Sequence, residues 1–503
     1  MSNNFDVIII GSGLGGLLCA NTLSMEGKKV LVLEKNNQIG GNLQVFMRDG
    51  VLFDTGVHYI GGLAEGSNLN KIFSYHGIME DLDLEPLNKE AFDVISFKDD
   101  SSNYGWSQGY DKFEQTLIEK FPNEAKGIKL YTKKIREICA RFPMYNLKMG
   151  ELDVSDDILT LNAKTFIESV VEDEKLRGVL AGNNLLYAGH ADKTPFYVHA
   201  LVCNSYIESS HKIKGGGGIL AQFLAKKIRR LGGKIRRYQD VTEILTDAEG
   251  VMGVKTTKGD LFLSKNVIAN IHPTMAYNLV DKGVRNITKT RLKNTPNTTS
   301  SFSVHLVLKP ETVKYLDHNI YHFNQTDVWN NANYSEEEWP KGMMISCPSE
   351  KENNEYAKGL SLLMYMNAED LKGWEHTQNT VATKQNRGDG YEVLKQEKAN
   401  KALELLYQII PEVKGNVESV YTSSPLSYRD YIGTPSGSMY GIQKDCNQPL
   451  ATMLNTTTKI NGLYLTGQNV SLHGLLGVSM TALKTCGEIV GMEYLLKKVN
   501  SKD

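Results

Sequence analysis

The stretch that most restricts what this chain can fold into is "DVIIIGSGLGGLLCANTLSMEGKKVLVLEK", residues 6–35. Val7 to Ile10 form a short continuous apolar run, the pattern of a central parallel strand buried on both faces. Gly11, Gly13 and Gly16 follow in G-x-G-x-x-G spacing. The first allows a tight turn, the second lets the backbone approach a pyrophosphate, and the third lets a helix pack close to the sheet. Leu14, Leu17, Leu18 and Leu23 then recur at helical spacing until Gly27, which stands where a helix-ending C′ glycine belongs. A second apolar strand, Val30 to Leu33, ends in Glu34, about 20 residues beyond the glycines, where an acid binds ribose hydroxyls. A carboxylate there repels a 2′-phosphate, so the expected ligand is FAD or NAD(H) rather than NADP(H).

FAD and NAD are separated by what comes next. In "EKNNQIGGNLQVF" a second glycine pair, Gly40-Gly41, follows the acidic strand directly, where a simple NAD domain would enter its next helix. The continuation, "GGNLQVFMRDGVLFDTGVHYIGG", alternates apolar and polar residues like a half-buried hairpin turning at Asp49-Gly50. This arrangement resembles the flavoproteins of the amine oxidase and phytoene desaturase superfamily, in which a glycine pair lies close to the flavin ribityl chain. The resemblance implies FAD, with the hairpin running along it and Phe53 to His58 forming active-site wall.

Two further segments carry the same resemblance. "IKGGGGILAQFLAKKIRRLGGKIRRYQDVTEI" reads as a helix with Leu220, Phe223, Leu224, Ile228 and Leu231 on one face, closed by Gly232-Gly233. The strand pair after it, Lys234 to Tyr238 and Val241 to Leu245, returns to the dinucleotide domain in this superfamily, with Val241 near the adenine. Lys226, Lys227, Arg229 and Arg230 share that helix with the apolar stripe, and read as its solvated face. In "LSKNVIANIHPTMAYNLV" another buried strand ends near Asn270, and His272-Pro273 reads as a turn. "INGLYLTGQNVSLHGLLGVSMTALKTCGEIVGMEYLL" is the superfamily's second cofactor signature: a strand from Leu463 to Thr466, a turn at Gly467, and a helix led by Gly477 with Val478, Leu483 and Ile489 apolar. A helix N-terminus there points partial positive charge at the flavin pyrimidine edge. The implied cofactor-binding set is Gly11, Ser12, Gly13, Gly15, Gly16, Glu34, Lys35, Gly40, Gly41, Asn42, Val241, Gly467, Gln468, Gly477 and Val478.

The expected fold class is α/β, a Rossmann-like FAD-binding domain with an inserted α+β substrate domain. The dinucleotide parts are residues 1–84, 215–300 and 441–503, and the insertions are residues 85–214 and 301–440. The 503 residues allow that many units. A net charge of −2 gives no field that favours nucleic acid. The six cysteines, Cys19, Cys139, Cys203, Cys347, Cys446 and Cys486, show no metal-ligand spacing, and no metal is expected. With no run of some 18 apolar residues and no signal-like start, a cytoplasmic chain is expected.

"FDTGVHYIGGLAEGSNLNKIF", "YVHALVCNSYIESSHKIKGGGGILA", "SPLSYRDYIGTPSGSMYGI" and "GLYLTGQNVSLHGLLGV" are similar to the retinol saturase and carotenoid isomerase branch of the phytoene desaturase family. The first and third are most like all-trans-retinol 13,14-reductases. Monoamine oxidases usually carry Glu, and retinol saturases more often Asp, where this chain has Gln468. The branch implies an FAD-dependent oxidoreductase acting on a carbon-carbon bond of a hydrophobic polyene or isoprenoid, in a tunnel lined by apolar positions of Phe196 to Tyr206 and by Tyr428, Tyr431, Met439 and Tyr440. In the saturating direction one alkene carbon receives a hydride from reduced flavin and the other a proton, with His58 and Tyr59 the candidate donors. Isomerisation or desaturation of a carotenoid uses the same motifs. A lipid or prenyl escort on the same fold is the reading from another class, and the intact nucleotide motifs stand against it. Electrons would come from free NAD(P)H, a quinone or a separate reductase, and peripheral contact with a membrane would suit such a substrate.

Overall fold

The computed structural model describes residues 3–152, 157–349 and 355–501. Its centre is a parallel sheet of five strands gathered from distant parts of the chain, in the order Lys234–Arg236, Val30–Leu33, Val7–Ile10, Val267–Ala269 and Leu463–Leu465. The two apolar runs of the fingerprint pair in register, Val7 with Val30 through Ile10 with Leu33. Because side chains alternate along a strand, Val7, Ile9, Val30 and Val32 face one core while Ile8, Ile10, Leu31 and Leu33 face another. Helices Leu14–Met25, Gly218–Arg230 and Gly474–Val490 cover the first face. An antiparallel sheet of Val241–Thr246, Val251–Thr256 and Leu261–Leu263 covers the second. Burial of such a Val, Leu or Ile side chain contributes about 1.5–3 kcal/mol, so the two central strands, Val7–Ile10 and Val30–Leu33, buried at every position, are wholly apolar.

The expected strand pair after Gly233 divides between two sheets. Lys234–Arg236 joins Val30–Leu33 in parallel, and the chain then turns at Tyr238, whose φ is +55°. Val241–Thr246 pairs instead with Val251–Thr256. On the preceding helix Leu220, Leu224 and Ile228 are buried, whereas Leu231 caps its C-terminus and is exposed, since the helix ends one residue earlier at Arg230.

The hairpin forms as Val45–Arg48 against Val51–Asp54. Asp49 and Gly50 both have positive φ, +45° and +79°, the primed turn that matches strand twist. A mixed sheet of seven strands lies beyond it, in the order Val417–Ser423, Ser300–Leu308, Gly359–Met366, Gly342–Ser346, Asn319–Phe323, Asp93–Phe97 and Asn103–Trp106. Helix Asp389–Ile409 covers one face of this sheet through Ala399, Ala402 and Leu406. The opposite face, including Met344, Leu363 and Tyr321, turns toward the dinucleotide unit and belongs to the same core as the fingerprint helix. Helix Phe196–Glu208 is buried on all sides beside it. Among the described residues no helix is long and apolar enough to cross a membrane.

Candidate active site

A cavity of about 440 Å³ reaches from the dinucleotide sheet to the seven-stranded sheet. At the first end its wall is largely backbone. Gly11, Ser12, Gly13 and Gly15 line it, and Gly13 is the N-cap of helix Leu14–Met25, whose first turn holds no acidic residue and no capping side chain. Its unpaired N–H groups and the positive end of its dipole are therefore free for an anion. Gly11 has φ +92°, and a Cβ there would stand 2.8 Å from the Asn270 carbonyl oxygen. Gly16 does not line the cavity: its Cβ would fall 2.2 Å from the Gly11 oxygen, so it serves the contact of helix and sheet.

The Asn270 carboxamide, unmarked in the sequence beyond its place at a strand end, holds these pieces together. A Cβ on Gly15 would lie 2.7 Å from its Oδ1 and one on Gly467 2.8 Å from the same atom, while its Nδ2 donates to the Gly11 oxygen at 3.4 Å. Glu34 is buried and accepts from the Ser12 N–H at 3.0 Å, the Ser12 hydroxyl at 2.6 Å and the Asn36 N–H at 2.8 Å. Lys35 lines the cavity but its Nζ donates to the Asp430 oxygen at 2.9 Å, tying the strand to helix Pro425–Ile432. The Gly40 N–H donates to the Ser12 oxygen at 3.0 Å, and a Cβ on Gly41 would sit 3.1 Å from the Gly13 Cα. Both glycines line the cavity, as do Asn42, Val241, Gly467, Gln468 and Val478. Gln468 donates from Nε2 to the Met439 oxygen at 3.4 Å.

Gly477 stands elsewhere. Helix Gly474–Val490 starts three residues before it, after the N-cap His473, because Gly474 with φ +73° already makes the turn. Gly477 packs on the Leu472 oxygen, 2.7 Å from where its Cβ would be, while Gly474, Leu475 and Val478 line the cavity.

The donor set fits a dinucleotide. Asn42 Oδ1, Gln239 Oε1 and Thr434 Oγ1 belong to lining residues and are buried without a hydrogen-bond partner among the described residues. An orphaned buried polar atom costs about 1–3 kcal/mol. Three such atoms on residues that line the same cavity as the uncapped end of helix Leu14–Met25 are what a polar ligand with an anionic part would satisfy.

At the other end the wall is side chains. Gly56, Val57, His58 and Tyr59 come from the segment after the hairpin, Leu185 and Leu186 from the short 3-10 helix Asn184–Leu186, Met344 and Leu363 from the seven-stranded sheet, and Tyr428, Tyr431, Met439 and Tyr440 from the segment after residue 424. Of helix Phe196–Glu208 only Tyr206 reaches the cavity. Phe196, Val198, Ala200, Leu201 and Cys203 pack into the core, as a helix buried on all sides must. Phe53 is buried between Val51 and Val307 rather than in the wall. The only charged side chains lining the cavity among the described residues, Glu34, Lys35 and Asp240, are at the dinucleotide end.

Burial pushes the His58 imidazole down to about 4, so it is neutral at pH 7. His272, the N-cap of helix Pro273–Leu279, is likewise held at about 4 by burial, and its Nε2 lies 2.9 Å from Asn297 Oδ1. The Tyr59 hydroxyl donates to Asp93 Oδ2 at 2.8 Å and lies 2.7 Å from the Tyr321 hydroxyl. Burial first, then the neighbouring Asp93 and Tyr321, raise the Tyr59 phenol well above its ordinary value. Burial also raises Asp93 to about 7, against the opposing hydrogen bonds from Asn319 and Tyr59. Asp93, Tyr321 and Asn319 were not marked by any motif. The one signal is an acid heading an apolar strand in "AFDVISF".

Comparison with known proteins places this architecture. A family model described as flavin containing amine oxidoreductase matches residues 14–490. The all-trans-retinol 13,14-reductase of Danio rerio is 27% identical over 527 residues, covering 97% of this chain and 86% of that protein. A chloroplastic prolycopene isomerase of an Oncidium hybrid cultivar is 26% identical over 529 residues, covering 99% and 85%. Among solved structures, a putrescine oxidase variant redesigned in cofactor binding superposes with a TM-score of 0.65 at 13% identity, over 97% of this chain and 99% of that one. With its cofactor cradle, its two-part α/β architecture and a family match over nearly its whole length, the chain is an FAD-dependent enzyme and belongs to the flavin containing amine oxidoreductases.

Proposed function

We propose that the protein reduces a carbon-carbon double bond of a hydrophobic polyene, as its retinol-reductase relatives are named for doing. The observation that carries this reading is the segregation of charge along one cavity: Glu34, Lys35 and Asp240 at the dinucleotide end, and aromatic and aliphatic side chains at the other. An extended apolar molecule gains from burial at the second end and would lose at the first. In this reading residues 1–84, 215–300 and 441–503 hold the cofactor, and residues 85–214 and 301–440 shape the substrate site. FAD supplies the two-electron chemistry, recharged by an external donor of the nicotinamide, quinone or reductase class.

The chain's own residues do the rest. The N-terminal end of helix Leu14–Met25 and the Glu34 carboxylate would hold the pyrophosphate and ribose, and the start of helix Gly474–Val490 would lend partial positive charge to the bound cofactor. Tyr206, Met344, Leu363, Tyr428 and Tyr440 align the polyene and keep water out. The neutral His58 is a poor proton source at pH 7, which leaves Tyr59 as the donor to the second alkene carbon. Such a substrate partitions into membranes, so entry is expected from a membrane surface.

Double-bond isomerisation is the second reading, because a prolycopene isomerase is as well covered as the reductases. Product mass separates the two. The chemically reduced, FAD-loaded protein is incubated anaerobically with all-trans-retinol, and separately with a poly-cis carotenoid. A product two hydrogens heavier than the retinol is expected, and a product of unchanged mass with altered retention would replace saturation by isomerisation.

A further inference from the structure

Behind the cavity wall stands a carboxyl group that substrate binding does not need. Asp93 heads strand Asp93–Phe97 and is fully buried, in an element whose other residues are mostly apolar. Its Oδ1 accepts from Asn319 Nδ2 at 3.0 Å, and its Oδ2 lies 2.8 Å from the Tyr59 hydroxyl oxygen, accepting from that hydroxyl when the carboxyl is ionised and donating to it when the carboxyl is protonated. The titratable groups around it are Tyr59 on the segment before Ile60–Gly61, Tyr321 on strand Asn319–Phe323, and Tyr206 and Cys203 on helix Phe196–Glu208. All are neutral acids at pH 7, and no cation pairs with Asp93 among the described residues. Tyr59 and Tyr206 line the cavity with ring centroids 4.6 Å apart, whereas Asp93 and Tyr321 lie behind them.

A phenol raised this far above its ordinary value gives up a proton only if another arrives as it leaves. The protonated Asp93 carboxyl, with Oδ2 at 2.8 Å from the Tyr59 oxygen, can provide that second proton. We propose that Asp93 is the proton reservoir of the reaction, acting on the substrate through the Tyr59 hydroxyl, with Asn319 and Tyr321 holding the pair in line. The inference rests on the reductase reading above. In the step, bound reduced flavin would supply a hydride to one alkene carbon as the π bond breaks, and its neighbour takes the Tyr59 proton. The Asp93 proton moves to the Tyr59 oxygen and leaves a carboxylate. Two electrons and two protons are consumed for each new CH–CH bond, the electrons coming from the external two-electron donor. Asp93 regains its proton through the same hydroxyl when product release admits water. Asp93 is thus a positioning and relay residue, and Tyr59 the group that meets substrate.

A buried carboxyl without a cationic partner stays protonated far above the usual carboxylate range. Burial holds Asp93 at about 7, so the relay is charged below that pH and discharged above it.

The test has two readouts on the FAD-loaded protein. The first is infrared titration without substrate. A protonated-carboxyl band that disappears with an apparent pKa of about 7, and that Asp93→Asn lacks, is expected. A wild-type band identical to that of Asp93→Asn at every pH overturns the proposal. The second is single-turnover formation of saturated product against pH. The wild-type rate is expected to fall above pH about 7, and Asp93→Asn to be roughly 100-fold slower at pH 6 with that fall removed. Tyr59→Phe is expected to lose as much, and Asp93→Glu to restore part of the rate. Retained FAD content shows that each variant is folded. A saturating wild type whose Asp93→Asn form keeps both rate and pH profile overturns the proposal alone. A wild type that makes no saturated product overturns it together with the reductase reading.

Discussion

At its Glu34 end the cavity is walled by short motifs rich in backbone, Gly11 to Gly15, Glu34 to Asn36, Gly40 to Asn42 and Gly467-Gln468, each set by local spacing although the motifs come from both ends of the chain. At its Tyr59 end it is walled by side chains from segments as far apart as Tyr59, Tyr206, Met344 and Tyr428. The difference follows from the ligands. A pyrophosphate and a ribose are recognised by N–H groups, a helix end and one carboxylate, which need glycines and an acid at fixed local spacing. An apolar polyene is recognised by shape, and shape can be assembled from any large side chains that tertiary packing brings together. The first end therefore leaves recognisable local motifs, and the second leaves only scattered aromatic residues.

Substitutions at the two ends should separate accordingly. The largest effect is expected from Gly16→Val, whose Cβ would press on the Gly11 oxygen at 2.2 Å. Overpacking a helix against a sheet at this distance costs about 3 kcal/mol or more, so little FAD-loaded protein should be recovered by absorption spectroscopy. Tyr59→Phe is expected to leave FAD content unchanged and to slow turnover about 100-fold, read as kcat at saturating substrate. Loss of FAD in that variant would show that the two ends are not separable. Glu34→Gln keeps the size of a side chain that accepts from Ser12 and Asn36 but removes its charge. About tenfold weaker FAD binding by fluorescence titration, with kcat preserved once the site is saturated, is expected. The smallest effect is expected at His58. Because burial holds its imidazole at about 4, it carries no charge change near pH 6.5. His58→Gln should alter kcat at pH 7 by less than about threefold, and the wild-type profile should show no limb at the ordinary histidine value. A limb there that disappears in His58→Gln would return the donor role to the imidazole.

The legibility of the chain follows the same division. Strand, glycine turn, helix, strand and Glu34 could be placed residue by residue, since each is set by local periodicity and backbone geometry. The hairpin turn at Asp49-Gly50 was equally readable, because two successive positive φ values demand such residues. A boundary failed where a neighbour decides it: Gly474 and not Gly477 starts the last helix. Asn270 left no signal, since its role is visible only when Gly15 and Gly467 meet at its Oδ1. Asp93, Asn319 and Tyr321 were hidden for a stronger reason. Asp93 and Asn319 are 226 residues apart, Tyr59 and Tyr321 are 262 apart, and they are joined by the parallel pairing of two strands. The expected tunnel wall along Phe196 to Tyr206 shrank to Tyr206 because an apolar helix gives the same pattern whether it lines a cavity or fills a core.

The central claim is that one cavity joins FAD at the Glu34 end to a polyene at the Tyr59 end for electron transfer between them. The most direct measurement is a stopped-flow single turnover: FAD-loaded protein, photoreduced under anaerobic conditions, is mixed with all-trans-retinol while flavin absorbance is followed and the quenched product is weighed by mass spectrometry. The expected result is reoxidation of the flavin in step with a product heavier by two hydrogens, at one product per flavin. Flavin that stays reduced while retinol is unchanged or merely rearranged would contradict the account.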